Sequence, residues 1–64
     1  MKLWIARQLN GDLIIFLYKP HFNSLFNKWV DDNGISMLIA DRFDNKFHEV
    51  TFENSPKEVE LKLI

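Results

Sequence analysis

Few side chains in this sequence could begin a reaction. His21 and His48 are its two histidines, and histidine is the residue whose unperturbed pKa lets it exchange protons near neutrality. Neither has a partner at a useful spacing. His21 follows Pro20 in a stretch that reads as loop, and His48 stands beside Glu49 at the entry to an expected strand, where adjacent residues face opposite ways. Asp31-Asp32-Asn33-Gly34 has the composition of a calcium loop without its spacing. With Gly34 as the loop glycine, Trp29 takes the first ligand position and Ala40 the last, where acidic ligands are required. The segment reads as a turn. Asp41, Asp44 and Glu49 are scattered carboxylates, the pattern of a solvated face. Ser24, Ser36 and Ser55 lie in no nucleophile motif, and with no cysteine there is neither a thiol nucleophile nor a thiolate zinc site. The expectation is a protein that is not an enzyme, with no catalytic residue, no metal and no cofactor.

The aromatic residues suggest binding instead. Six Phe, two Trp and one Tyr in 64 residues can fill a small core and still leave rings outside it. Trp4, Phe16, Tyr18 and Trp29 are the candidates for an apolar-aromatic face that meets a protein partner, since exposed rings make binding hot spots. A second reading takes Lys2, Trp4, Arg7 and Lys19 as a stacking platform for single-stranded nucleic acid on a small β-barrel. A third places a small-ligand or catalytic site at a subunit junction, where His21 or His48 meets carboxylates of another copy. Against all three stands the plain alternative that Trp4, Phe16, Trp29, Phe43, Phe47 and Phe52 simply make the core.

Strands must position these residues. Leu3-Trp4-Ile5-Ala6 and Leu13 to Tyr18 bracket Asn10-Gly11, the strongest short hairpin signal. The second run is apolar on both faces, with Ile14, Phe16 and Tyr18 one way and Leu13, Ile15 and Leu17 the other, so it needs cover on both sides. In the middle, Phe22, Leu25, Phe26, Trp29 and Val30 fit a helical stripe, but Asn23, Ser24 and Asn27 are poor helix formers. That region is read as loop at Pro20 to Leu25, strand near Phe26 to Val30, turn, and strand near Ile35 to Ile39. Asp41 to Lys46 is a connection with room for one helical turn. At the end, His48 to Glu53 and Glu58 to Ile64 flank Asn54-Ser55-Pro56-Lys57 and read as a hairpin, because Val59, Leu61 and Leu63 alternate with Glu58, Glu60 and Lys62. A helix capped at Ser55 is the rival, but it would not gather those three apolar residues on one stripe.

The opening MKLWIAR…NGDL and the ending EVTFENSPKEVELKLI resemble small proteins of gut Bacteroidales and their prophages. The resemblance covers the two ends of the chain better than the middle, and it implies an all-β fold and a mobile-element origin without implying an activity.

The whole reads as one domain, residues 1–64, all-β, with five or six short antiparallel strands in meander order forming a small open barrel or folded sheet. It has no repeat, no low-complexity tract and no linker. A chain this short hides only about 60% of the surface that its unfolded form exposes, and without disulfides its remaining means are dense packing and self-association. Hydrophobic residues make up 47% of it, so a surplus apolar face and a homodimer are expected. Net charge is −1, which argues against general affinity for nucleic acid or acidic membranes. The charge is uneven, +3 over residues 1–28 and −4 over residues 29–64, as when oppositely charged strands lie side by side. The longest apolar run, Leu13 to Tyr18, is too short for a membrane span or a signal-peptide core. The function expected is that of a small non-catalytic binding or accessory protein of the cytoplasm.

Overall fold

The two apolar runs around Asn10-Gly11 form the centre of the fold. A computed structural model of the protein describes residues 2–32, 34–44 and 47–60. The runs become β1 (Lys2–Arg7) and β2 (Leu13–Phe16), antiparallel, with Ile5 opposite Ile15 and Ala6 opposite Ile14. Their turn is not of the two-residue Asn-Gly type. Within it only Gly11 has a positive φ, +100°, while the Gly11 N–H donates to Gln8 O at 2.9 Å and the Gln8 N–H to Asp12 O at 2.7 Å. This is a three-residue loop, Leu9-Asn10-Gly11, closed by a glycine bulge. Asn10 contributes its side chain instead of a left-handed backbone, its Oδ1 accepting the Asp12 N–H.

Four strands make the main sheet, in the order β5-β2-β1-β6, with β5 at Ser36–Ala40 and β6 at Lys57–Glu60. A separate antiparallel hairpin joins β3 (His21–Asn23) to β4 (Lys28–Val30). The all-β reading with six short strands holds, every pairing is antiparallel, and the sheet is not closed into a barrel. Among the described residues there is no helix, and none long and apolar enough to cross a membrane. The order departs from a continuous meander, because the chain leaves the sheet after β2, returns as β5 beside β2, and reaches the far edge as β6 beside β1.

Three local expectations change. The stretch Pro20 to Leu25 holds a strand, β3, because Asn23 Oδ1 accepts the N–H groups of Leu25 and Phe26 and turns the chain back tightly. That turn ends on Asn27 in the left-handed region, φ +53°, so the following strand begins at Lys28 and not at Phe26. The C-terminal hairpin does not form: His48 to Glu53 is a run of turns, and β6 pairs with β1. Side chains take the backbone groups a ladder would need there. The Thr51 N–H donates to Asn54 Oδ1, the Asn54 N–H to Thr51 Oγ1, and Ser55 Oγ to Thr51 O. Charge favours the same outcome. A local hairpin closed by residues 54–57 would set Glu53 against Glu58, whereas pairing with β1 puts Val59 opposite Leu3 and gives Glu58 the Lys2 ammonium at 3.5 Å. The expected strand from Leu61 onward lies outside the described residues.

Both faces of β2 are engaged, as its composition requires. On one face Ile5, Leu13, Ala40 and Val50 form the core, with Ile15 and Val59 packed against it. On the other, Ala6 and Phe16 are buried, and the β3–β4 hairpin supplies the cover. Gln8 attaches that hairpin, accepting the Trp29 N–H at 2.9 Å and donating to Trp29 O at 2.8 Å, as a neighbouring strand would.

Candidate interaction surface

The core residue Val50 covers only one end of its sheet face. Arg7 holds it there: the guanidinium donates from Nε to Val50 O, from Nη1 to Gly11 O and from Nη2 to Phe47 O, at 2.9 to 3.0 Å. Further along the same face Leu3, Ile15 and Leu17 meet Ile35 and Met37 around a shallow apolar cleft of about 200 Å³. Side-chain alternation places them together, since Leu3 precedes Ile5 by two, Leu17 follows Ile15 by two, and Met37 is in register with Ile15. Ile35 is 51% and Met37 64% exposed. Burying such residues is worth about 25 cal/mol per Å², so this surface rewards any partner that covers it.

The cleft runs to the edge strand β5, whose exposed side chains line both faces. Leu38, on the face opposite Met37, is 53% exposed. A second apolar group lies at the two hairpin tips, where Leu9 and Phe26 border a cleft with Gln8, Asn10 and Lys28, and Leu25 projects beside them.

The residues singled out from sequence are dispersed. Phe16, 2% exposed, belongs to the interior, and with Ser36 it also lines the apolar cleft. Trp29 is half-buried, its ring edge-on to Phe22 at 5.4 Å and tilted against Phe52 at 6.4 Å. Tyr18 is exposed, 52%. Trp4 is half-buried, with the Lys19 ammonium 5.4 Å from its ring centroid. Lys19 and Trp4 are thus brought together, but the other two members of the nucleic-acid set are engaged elsewhere, Lys2 with Glu58 and Arg7 with the three carbonyls. Of the other aromatics assigned to the core, Phe43 and Phe47 are exposed. His21 stands 3.8 Å from Asp32 and His48 3.9 Å from Glu49, both pairs at the surface and far from forming one constellation. Among the described residues no three His, Cys, Asp or Glu side chains are grouped to hold a metal ion.

The cleft was missed in sequence because Leu3, Ile15, Leu17, Ile35 and Met37 come from three separate stretches of the chain. The available signal was the uncharged run Gly34 to Ala40, too apolar for an edge strand that water alone would cover. Comparison with protein-family models, with curated proteins and with solved structures gives no match.

Proposed function

We propose that this chain is a small non-catalytic binding protein that works through protein–protein contacts on the apolar face bounded by Leu3, Ile15, Leu17, Ile35 and Met37. One observation carries the reading: in a chain with little core to spare, large aliphatic side chains converge on an open cleft and continue onto the edge strand β5. The residue types favour a protein over a charged ligand, because an apolar concavity offers hydrophobic burial and few directed polar contacts. The polar groups needed for acid-base work are spread over separate surfaces, which gives no comparable support to catalysis.

A photoreactive side chain in place of Leu17 tests this in cells that express the chain. Irradiation is expected to give discrete adducts from position 17 and none from a control at Glu53, on the far turn. Absence of adducts from both positions, with the protein folded, would remove the reading.

A further inference from the structure

The main sheet has two edges, β5 and β6, and their sequences treat the edge problem differently. Edge strands leave backbone N–H and C=O groups open to another strand and are normally guarded by charge, proline or shortness. β6 reads Lys57-Glu58-Val59-Glu60, with charged residues at three of four positions. A second β6 paired about Val59 would set Glu58 against Glu60. β5 reads Ser36-Met37-Leu38-Ile39-Ala40, with neither charge nor proline. Its one irregularity is a bulge at the Ala40 end, where Leu13 pairs with Ala40 and Ile14 with Leu38, leaving Ser36 to Leu38 in regular register with β2. β2 is the only strand paired with β5 among the described residues.

We propose that two copies of the chain associate by antiparallel pairing of their β5 strands across a two-fold axis, joining the two sheets into one. The inference rests on the protein-contact reading above and names its partner. An uncharged strand with exposed apolar side chains on both faces is complementary to itself, because Met37 on one face and Leu38 on the other each meet apolar side chains of the copy. The arrangement also extends the cleft, since Ile35 and Met37 of each copy join the apolar rim of the other. Antiparallel pairing sets the start of one β5 beside the end of the other. No charge lies within the seam to oppose that pairing, since Ser36–Ala40 carries none.

The test is solution mass by light scattering from micromolar to millimolar chain, with hydrogen exchange on the same samples. The expected mass rises toward twice the 7.7 kDa of one chain, and exchange slows in Ser36–Ala40 but not in Lys57–Glu60. Leu38→Lys and Met37→Lys each place a charge on the seam from an exposed position, and each is expected to stay monomeric over the whole range. Phe26→Lys, at the hairpin tips, is expected to dimerise like the parent. A parent that is monomeric throughout overturns the inference, as does a dimer that survives both β5 substitutions with β5 exchange unchanged. Failure here is distinguishable from failure of the protein-contact reading, because the crosslink at position 17 registers partners of any mass.

Discussion

At the scale of single residues, the turn glycine and the docking glutamine show how narrow the tolerances are. Gly11 is needed twice. Its φ of +100° disfavours any Cβ, and a Cβ built there would lie 2.8 Å from Arg42 Cβ and 3.3 Å from Arg42 Cα. Arg42 cannot easily withdraw, since its N–H donates to Asp12 Oδ1 at 3.0 Å. Gly11→Ala should therefore cost about 2–3 kcal/mol in urea or thermal unfolding, from backbone strain and the clash together. Gln8 presents one donor and one acceptor to the Trp29 backbone. Gln8→Glu keeps the acceptor and sets a carboxylate oxygen against Trp29 O, a loss of about 1–3 kcal/mol at neutral pH. Protonation restores a donor, so the folded state raises the pKa of the new carboxyl above its unfolded value of about 4.3. The defect should be largest above the folded pKa and shrink below the unfolded one, measured as unfolding free energy against pH relative to the parent. Asn10-Gly11 was legible as a turn, but not the identity of the residue packed against it.

At the scale of elements, the β3–β4 hairpin is a passenger whose position depends on side chains. Its strands are three residues each, too short to persist alone. Phe22 and Trp29 form its cross-strand pair, and Phe52, from the turn region, meets both rings at 5.6 and 6.4 Å. Edge-on aromatic pairs add about 0.5–1.5 kcal/mol each beyond their buried area. Phe52→Ala should thus loosen the hairpin before the sheet, so that amide exchange quickens in His21–Val30 while β1 and β2 stay protected. Uniform loss of protection would mean that the hairpin and the sheet unfold as one unit. The periodicity of residues 22–30 could not decide between helix and hairpin, because its aromatic stripe fits both. Asn23 and Asn27, with their turn-forming side chain and left-handed backbone, broke the tie.

At the scale of the whole molecule, a chain of 64 residues has a stability of about 3–10 kcal/mol by the usual 0.05–0.15 kcal/mol per residue. Covering the apolar seam then contributes a sizeable fraction of the total. Unfolding linked to dissociation depends on concentration by mass action, about 1.4 kcal/mol per dimer for each tenfold change. For the parent chain Tm should rise by about 5 °C per tenfold increase in protein, whereas Leu38→Lys should show a Tm independent of concentration. A concentration-independent parent would point to a monomer whose apolar face waits for a different protein.

The sequence by itself determined the local events. Two apolar runs flanking Asn10-Gly11 define the first hairpin, the two-faced run from Leu13 requires cover on both sides, and the opposite charges of the two halves foreshadow Lys2 beside Glu58. Those signals act over a few residues or through bulk charge, so they survive in one dimension. Tertiary structure alone decided which strand pairs with β6, since β1 offered Leu3 and Lys2 where the local alternative offered Glu53. It also turned Arg7 from a candidate nucleic-acid contact into the clamp on Val50, Gly11 and Phe47. Carbonyls at sequence distances of four to more than forty residues converge on one guanidinium only after the chain has folded, and no composition or spacing records that convergence.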